Sequence, residues 1–374
     1  MSNNNIVKAE YIWIDGTYGF RSKTRVIYTN QNNHLDIELY PVWNFDGSST
    51  NQADGNDSEV LLNPVRVVND PFNTMTHESC MATLVLCETV YPDGSYPDTS
   101  TRHIANDIFN KNLDAKPWYG IEQEFYIFTK QTADPLTRFN HDKYDNYEPL
   151  GKYKESQDGE KTICEKQGRY YCSVGGTCAF GRDIVSTALE KCIQCGLHVS
   201  GMNAEVGPGQ WEIQVGPCEG IQAGDEISLL RYILYRVSED YGKNNIEIVF
   251  DPKPLKGDWN GSGCHTNYST LDMRNGTDQY SGYDYIKQAI NKLEKAHEDH
   301  MQNYGVDNIE RMTGLHETAS YDVFTYGIAD RTASIRIPTD TYKNKKGYLE
   351  DRRPGANMDP YIVTSKLFET TVLK

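Results

Sequence analysis

Short hydrophobic runs separated by polar turns dominate the chain from Lys8 to about Thr89. The runs KAEYIWID, KTRVIYT and TLVLCETV are typical of strands, and the segments between them are rich in Asn, Asp, Gly and Ser. They predict a small sheet domain. The Pro- and Gly-rich segment YPDGSYP begins at Tyr91. We therefore place a domain boundary near Pro97, which predicts domains at 1–97 and 98–374.

Beyond Pro97, segments with helical hydrophobic spacing alternate with strand-like segments. Helices are predicted in GRDIVSTALEKCIQC, in DEISLLRYILYRVSED, in YDYIKQAINKLEKAHEDHMQNYG and after Asp359. Strands are predicted in IEQEFYIFT, NIEIVF and SIRIP. The polar stretch from Thr129 to Gln167 is predicted to be an exposed excursion. The pattern predicts an α+β fold with a large sheet covered by helices.

The charge balance restricts the class of protein. The chain has 37 basic and 53 acidic residues, a formal net charge of −16, and 38% hydrophobic residues. This composition is typical of a globular protein, and its negative charge disfavours nucleic acid and anionic lipid as partners. No apolar run reaches membrane-spanning length. Nine scattered cysteines and an amino terminus without targeting features predict a reducing, cytoplasmic location.

Two glutamates in the segment IEQEF are candidate metal ligands. In a strand, Glu122 and Glu124 project from one face, whereas Ile121, Gln123 and Phe125 project from the other. An isolated E-x-E pattern is more often a solvated strand face. The metal interpretation therefore depends on further acids nearby.

A second pair of glutamates occurs in NAEVGPGQWEIQVGP. A tight turn centred on Pro208 and Gly209 predicts a hairpin in which Glu205 stands opposite Glu212. Carboxylates about 5 Å apart repel each other unless a cation or a proton lies between them. An exposed hairpin that tolerates this repulsion is the alternative. A buried set of carboxylates would suit Mg²⁺ or Mn²⁺.

A histidine and a group of arginines complete the candidate chemistry. His265 lies in the glycine-rich segment GDWNGSGCHTNYST, where the absence of side chains is predicted to let a ligand approach the backbone. A lone histidine, however, is more often structural. Near the carboxyl end, several arginines surround Glu317 and Glu350, namely Arg311, Arg331, Arg336, Arg352 and Arg353. They predict a carboxylate or phosphate site, with one or two of them in structural ion pairs. Neither common phosphate-binding glycine motif occurs, so ATP would depend on metals and arginines.

Taken together, these segments resemble the glutamine synthetase family, in its eukaryotic-type branch. The motifs that carry the resemblance run in the family's order from Trp43 to Pro354: WNFDGSST, IEQE, GRDI, NAEV with QWEIQVGPCEG, FDPKP, WNGSGCHTN, GLHET, ASIRIP and GYLEDRRP. The resemblance implies a small amino-terminal β-grasp domain and a large carboxyl-terminal catalytic domain with a curved antiparallel sheet covered by helices. It also implies a homo-oligomer, a decamer of two stacked pentameric rings with sites between subunits.

The reaction implied by the resemblance is the ATP-dependent condensation of L-glutamate and ammonium to L-glutamine. It would proceed through γ-glutamyl phosphate and release ADP and phosphate. Two or more Mg²⁺ or Mn²⁺ ions per site are implied, with one set of ligands at Glu124, Glu205 and Glu212 and a second at Glu122, His265 and Glu350.

The resemblance also implies roles for the remaining candidates. Asp46 would receive ammonium, and Glu317 would shield the intermediate and take a proton. Catalytic and phosphate contacts would come from Arg331, Arg336 and Arg352. Glutamate would be bound by Asp258, Trp259, Asn260, Gly261 and Arg311, and the nucleotide by Trp118, Asn267, Tyr268 and Ser269 together with Arg331 and Arg336.

The chain departs from the family pattern at Arg169, Asp330 and Thr339, and none of these positions is an implied metal ligand or catalytic acid. Two other functions stay open at this point. A ligase that joins glutamate to a larger amine would keep the metal ligands and arginines but change the ammonium pocket. A structural protein could lose metal ligands freely, whereas all six implied ligand positions here hold Glu or His.

Overall fold

The structure is a computed structural model that describes residues 5–73, 80–130, 147–149, 153–155, 161–163, 167–241 and 246–374. It contains two compact units, Met1–Ala105 with Glu190–Leu197, and Asn106–Leu189 with His198–Lys374. The division of the chain at Pro97 stays a prediction. Within the described ranges, no helix is long and apolar enough to cross a membrane.

The first unit is built on a five-stranded sheet. Its strands, in chain order, are β1 (Asn5–Ile14), β2 (Phe20–Thr29), β3 (Trp43–Asp46), β4 (Glu59–Asn69) and β5 (Cys80–Val90). Their order across the sheet is β2-β1-β5-β4-β3, and β1 and β5 run parallel. Alternate residues of β1, including Val7, Ala9, Tyr11 and Trp13, are buried in one apolar cluster. This two-residue period is the pattern that predicted the strands.

The sequence analysis missed β3 and β4. The β4 segment EVLLNPVRVVN contains Pro64, which would break a regular ladder because it has no backbone N–H. The structure accommodates it at a register shift between Pro64 and Arg66, where the pairing with β5 is irregular. The four-residue β3 is only partly buried, so its hydrophobic signal is weak.

The second unit contains a nine-stranded sheet among the described residues. The strands after β5 are β6 (Trp118–Lys130), β7 (Tyr147–Pro149), β8 (Tyr153–Glu155), β9 (Lys161–Ile163), β10 (Val199–Ala204), β11 (Gln210–Glu219), β12 (Ile246–Val249), β13 (Cys264–Ser269), β14 (Tyr326–Ile328), β15 (Ile335–Ile337) and β16 (Leu349–Asp351). The main order is β10-β11-β6-β13-β16-β15-β14, and β7 and β12 also pair with β6. Strands β8 and β9 form a separate hairpin. The rest of the predicted excursion from Thr129 to Gln167 lies largely outside the described residues.

The helices are α1 (Arg102–Phe109), α2 (Arg182–Cys195), α3 (Gln222–Asp240), α4 (Leu271–Asn275), α5 (Gly282–Lys295), α6 (His297–Met301), α7 (Thr339–Asn344) and α8 (Pro360–Phe368). The long helix predicted from Tyr283 to Gly305 is interrupted at Ala296. Helix α3 contacts β6 through Arg231, which donates a hydrogen bond to Gln123 Oε1 at 2.8 Å. The α+β fold class is confirmed, with an amino-terminal strand unit and helices beside a largely antiparallel sheet.

Candidate active site

The second unit contains a polar cavity of about 200 Å³. Its wall includes six glutamates, four arginines and two histidines, which are Glu122, Glu124, Glu205, Glu212, Glu317, Glu350, Arg311, Arg331, Arg336, Arg352, His265 and His316. Tyr171, Asn203, Gln214, Asn260, Gly261 and Thr318 complete the lining. Every residue predicted to bind metal therefore lies around one cavity, together with most of the predicted arginine site.

Strand β6 carries the central pair of carboxylates. Glu122 and Glu124 face the cavity, whereas Ile121, Gln123 and Phe125 on the opposite face are almost completely buried. This alternation confirms the strand reading of IEQEF. Because Ile121 and Phe125 pack in the core, they determine which face of the strand the two glutamates occupy.

The hairpin of β10 and β11 has a different register from the predicted one. Glu212 faces Asn203 rather than Glu205, and Glu205 lies beyond the end of β10, where its N–H donates to Gln210 O at 2.9 Å. The turn spans residues 206–209, and the Gln210 side chain stabilises it by accepting the Gly207 N–H at 3.1 Å. The predicted two-residue turn was therefore wrong.

The change of register keeps the acids on the cavity side. A shift by an even number of residues leaves each side chain on the same face of a strand. Glu212 consequently faces Glu124 across the β11–β6 pairing. The repulsion predicted between Glu205 and Glu212 within the hairpin thus arises between Glu212 on β11 and Glu124 on β6.

His265 joins these carboxylates across the β13–β6 pairing. It faces Glu122, and its Nδ1 lies 3.5 Å from Glu122 Oε2, 3.8 Å from Glu124 Oε1 and 3.9 Å from Glu350 Oε1. Two groups offer ligand atoms that lie within 4.8 Å of one another, Glu122 with His265 and Glu350, and Glu124 with Glu212 and His265. The first group is the predicted second metal set. The second group contains two of the three acids predicted for the other metal, with Glu205 beside the pair on the cavity wall.

The electrostatics of the acids fit a divalent cation. Burial, followed by the charges of the neighbouring carboxylates, raises the pKa of Glu205 to about 9 and that of Glu212 to about 8. Burial also raises the pKa of Glu124 to about 7, although a hydrogen bond from Gly263 N–H opposes the shift. Buried carboxylates that repel each other need a proton or a cation between them. Oxygen ligands with one imidazole suit Mg²⁺ or Mn²⁺.

We expect divalent metal to stabilise the protein more at about pH 8.5 than at about pH 6. The folded-state pKa values of Glu124, Glu205 and Glu212 lie above the ordinary 4.5. Their contribution to stability is therefore complete below about pH 4.5 and is lost as the pH rises through about 9. Metal competes with protons for these carboxylates, so the stabilisation that metal provides increases as the pH rises. Thermal unfolding with and without Mg²⁺ or Mn²⁺ measures this, and an equal metal effect at both pH values would contradict it.

Glu350 binds two arginines at the floor of the cavity. Its completely buried carboxylate accepts from Arg336 Nη1 and Arg352 Nη1, both at 2.6 Å. Within the described residues, Arg336 Nε is buried and has no hydrogen-bond partner. A buried donor without a partner is costly. Glu350 thus joins the acids of the cavity wall to two of its arginines.

Arg311 is held rigidly in the cavity wall. Its guanidinium donates to Asn308 Oδ1 at 2.9 Å and to the carbonyl groups of Arg352, Arg353 and Pro354 at 2.7–3.1 Å. A Cβ at Gly261 would lie 2.5 Å from Arg311 Cγ, and one at Gly263 would lie 2.8 Å from His265 Nε2. The glycine-rich segment was predicted to let a ligand approach the backbone. In the structure these glycines make room for Arg311 and His265.

Arg331 and Arg336 line the cavity, whereas the other residues predicted to bind the nucleotide do not. Ser269 faces Trp118 at the end of the β13–β6 pairing, and Trp118 is half exposed with the Arg274 guanidinium 4.0 Å from its ring centre. Asn267 donates to Glu122 Oε1 at 2.9 Å and so borders the acidic cluster. The Tyr268 side chain is completely buried, and its hydroxyl pairs with Thr371 Oγ1.

Two of the predicted glutamate-binding residues also lie outside the cavity lining. The Asp258 side chain is 96% exposed and contacts His316, whereas Trp259 packs against the apolar cluster around Tyr126. Their neighbours Asn260 and Gly261 do line the cavity. This loop therefore contributes its second half to the wall.

Asp46 lies in the first unit, where it caps a short 3₁₀ turn. Its carboxylate accepts from Ser48 N–H at 3.1 Å, from Ser48 Oγ at 2.7 Å and from Ser49 Oγ at 2.9 Å. These hydrogen bonds hold its pKa below the usual range. Asp46 is thus an exposed, ionised turn residue.

Several cavity residues were not predicted, namely Tyr171, Asn203, His316 and Thr318. Asn203 lies two residues before Glu205 and faces Glu212, so the strand period carried a signal for it. Tyr171, His316 and Thr318 come from irregular segments. No periodicity indicates the direction of their side chains.

A further group of possible ligand atoms, from His198, Cys218 and Glu226, does not line the cavity. There the Glu226 carboxylate accepts the His198 N–H at 2.9 Å and lies 2.9 Å from His198 Nδ1. The contacts with His198 therefore give the buried Glu226 carboxylate hydrogen-bond partners.

Comparison with known proteins gives a consistent result. The sequence profile described as "Glutamine synthetase, catalytic domain" matches residues 98–372. The chain is 46% identical to "Glutamine synthetase" of Candida glabrata over 372 residues, which cover 99% of this chain and 90% of the relative. It is 46% identical to "Glutamine synthetase N-1" of Phaseolus vulgaris over 370 residues, 98% of this chain and 94% of the relative. The same identity relates it to "Glutamine synthetase cytosolic isozyme" of Daucus carota over 367 residues, 98% and 94% of the two chains.

Proposed function

Because the chain belongs to the glutamine synthetase family of enzymes, we propose that it joins ammonia to the side-chain carboxylate of L-glutamate through γ-glutamyl phosphate. ATP supplies the phosphoryl group, and the products are L-glutamine, ADP and phosphate. The observation that carries this proposal is the single cavity in which a Glu/His metal set adjoins four arginines. Such a cavity combines cation sites with donors for transferred phosphate.

The reaction needs two displacements in sequence. A carboxylate oxygen is a poor leaving group, so a glutamate oxygen first attacks the γ-phosphorus of ATP and ADP leaves. The ammonia nitrogen then attacks the carbonyl carbon, and phosphate leaves as the C–N bond forms. Arg311 binds glutamate, while Arg331, Arg336 and Arg352 stabilise charge on the phosphoryl group. All four arginines line the cavity, which supports this assignment.

The metal sites that we propose consist of Glu124, Glu205 and Glu212, and of Glu122, His265 and Glu350. Metal bound there would neutralise phosphate oxygens that the glutamates otherwise repel. The imidazole of His265 lies within 4 Å of carboxylates from both sets, so it adjoins both groups of acids.

The remaining residues would bind substrates. Loop residues 258–261 contact glutamate, and Trp118, Asn267, Tyr268 and Ser269 contact the nucleotide. Since Tyr268 is buried, its contribution comes from the backbone. Asp46 attracts ammonium and removes a proton, because ammonium cannot attack before it loses one. Its ionised carboxylate suits that role.

We further propose that the protein acts in the cytoplasm as a decamer of two stacked pentameric rings. A relative in Daucus carota is named as a cytosolic isozyme, which supports the location. In this arrangement the domain at 1–97 presents Asp46 to the catalytic domain at 98–374 of a neighbouring subunit. Sedimentation velocity and light scattering measure the subunit number, and an active monomer would exclude shared sites.

The proposed reaction is tested by measuring glutamine and ADP from glutamate, ATP, ammonia and Mg²⁺, with each component omitted in turn. Glutamine that forms only when all four are present supports the proposal. ADP without glutamine would indicate a different amine acceptor, and larger amines would then be tried in place of ammonia. Absence of any turnover or nucleotide binding would favour a structural protein.

Glu317→Ala is expected to preserve binding of ATP and glutamate while ADP forms without an equal amount of glutamine. The Glu317 carboxylate lies at the cavity 3.8 Å from Arg331 Nη1, where it can exclude water and accept a proton. Its loss would expose the acyl phosphate to hydrolysis. Measuring both products in one assay gives the ratio, and unchanged glutamine synthesis would contradict this role.

A further inference from the structure

Two consecutive residues beside the cavity have left-handed backbone conformations. His316 has a φ of 55° and Glu317 a φ of 60°, and neither is glycine. They lie in a loop, residues 313–320, whose ends meet in a bridge between Thr313 and Ser320. We call these residues the flap loop. Residues with side chains rarely adopt this conformation unless their surroundings hold it, and such strain is concentrated at functional sites.

A chain of hydrogen bonds holds His316 from one side. Asn260 N–H donates to Gln167 Oε1 at 2.6 Å, and Gln167 Nε2 lies 2.7 Å from His316 Nδ1. His316 Nε2 in turn lies 3.1 Å from Asp258 Oδ1. The three contacts agree on one arrangement of protons. Asn260 orients the Gln167 amide so that its NH₂ group faces Nδ1, and the ring then carries its proton on Nε2 and donates to Asp258.

Glu317 is held from the other side by arginines. Its carbonyl accepts from Arg352 Nη2 at 3.3 Å, and its carboxylate lies 3.8 Å from Arg331 Nη1. The adjacent residues His316 and Glu317 therefore contact two different parts of the site. One part is the loop at 258–261, and the other is the arginine group. A change at His316 is transmitted directly to the backbone that carries the Glu317 carboxylate.

We propose that His316 is a positioning residue that links the loop at 258–261 to the flap loop through Gln167 and Asp258. The link holds the strained backbone in place and so keeps the Glu317 carboxylate over the reacting carbonyl group. This inference rests on the proposed function, in which Glu317 excludes water from the acyl phosphate. In this role His316 acts through the backbone of Glu317 and not on the reacting atoms.

Four variants distinguish the effect of the hydrogen bonds to His316 from the effect of its left-handed backbone. His316→Gly relieves the left-handed conformation and removes the ring, and Gln167→Ala breaks the link without changing the flap loop. His316→Gln keeps a donor and an acceptor on a side chain of similar reach. His34→Ala is the matched control, because His34 also contacts a side-chain amide, with Nε2 3.0 Å from Asn69 Oδ1, but does not line the cavity.

The main measurement is the ratio of ADP to glutamine formed in one assay. In His316→Gly and Gln167→Ala we expect the ratio to rise about tenfold, since small displacements of catalytic groups cost up to about 10²-fold. KM for ATP should stay close to that of the unaltered protein. His316→Gln should recover most of the coupling, and His34→Ala should not differ from the unaltered protein. A general folding defect would lower both products equally and leave the ratio constant.

Amide hydrogen exchange of the flap loop provides a readout that does not need turnover. Faster exchange of residues 313–320 in Gln167→Ala, with normal exchange in His316→Gln, supports the link. An unchanged product ratio in both His316→Gly and Gln167→Ala would overturn the proposal. If the unaltered protein makes no glutamine, the proposed function fails, and the link is then judged by exchange alone. Unchanged exchange in Gln167→Ala would overturn it in that case.

Discussion

Glu124→Gln is expected to lower the rate of glutamine formation by about 10³-fold or more while the metal-free protein stays folded. Glu124 occupies the centre of the acidic group. Its carboxylate faces Glu212 across the strand pairing, lies 3.8 Å from His265 Nδ1, and accepts hydrogen bonds from Gly263 N–H at 3.0 Å and Gln210 Nε2 at 3.2 Å. An amide of the same shape keeps one acceptor but lacks the charge that a cation requires.

The metal-free Glu124→Gln protein should be at least as stable as the unaltered protein, although its activity falls. Burial raises the pKa of Glu124 to about 7, so the ionised form is disfavoured in the metal-free protein. A neutral side chain removes that penalty, and the metal-free melting temperature of Glu124→Gln should equal or exceed that of the unaltered protein. The stabilisation by Mg²⁺ or Mn²⁺ should be much reduced.

The matched control for this prediction is Glu294→Gln on the exposed surface of α5, which should retain full activity. Steady-state assays and thermal unfolding with and without metal give both quantities for the two variants. Wild-type metal dependence in Glu124→Gln would refute the assignment of this residue. A loss of activity accompanied by unfolding would indicate a packing role instead.

Asp351→Ala is expected to lower the free energy of unfolding by about 3–5 kcal/mol. Asp351 and Arg353 form an ion pair in which both side chains are completely buried. Arg353 Nε and Nη2 donate to the two carboxylate oxygens at 2.9 and 2.7 Å, and Tyr304 Oη donates to Oδ2 at 2.8 Å. Although burial alone would raise it, the pKa of Asp351 is lowered because of the Arg353 guanidinium. Removing the carboxylate leaves a buried cation without its counter-charge.

The double variant Asp351→Leu with Arg353→Met should recover most of the lost stability, since it removes both charges together. Glu310→Ala is the control, because the ion pair of Glu310 with Lys256 is largely exposed and should contribute less than about 1 kcal/mol. Thermal and urea unfolding at one protein concentration measure these differences. A loss below about 1 kcal/mol in Asp351→Ala would contradict the proposed energetic role of the pair.

Residue 351 also illustrates what sequence reasoning missed. The segment YLEDRRP was treated as a source of arginines for an anion site, and Arg353 was included with them. In β16, however, Glu350 points to the cavity and Asp351 points into the core, and Arg353 pairs with the latter. The predicted structural ion pairs among the arginines therefore include this one. Once β16 has its place in the sheet, the alternation of side chains shows that Arg352 lines the cavity and that Arg353 lies in the core.

The sequence by itself determined the fold class, the strand face that carries Glu122 and Glu124, and the set of acids and arginines that share the cavity. The first two follow from local periodicity, and the shared cavity was implied by motifs in the order of the glutamine synthetase family. The register of the hairpin was not determined, since it depends on the turn at 206–209, which the Gln210 side chain stabilises. The position of Trp118 and the buried orientation of Tyr268 were not determined either.

Tertiary structure alone decided how the separate segments combine. Glu205, Glu212, His265 and Glu350 join Glu124 around one cavity because β10, β11, β13 and β16 lie in one sheet with β6, and pairing between distant strands leaves little trace in local sequence. The link through His316 joins three irregular segments, where no hydrophobic period indicates direction. Residue types suited to binding metal or phosphate could thus be identified from the sequence. Distances between those residues, and hence the raised pKa values of the acids, arise only when packing removes water and brings like charges together.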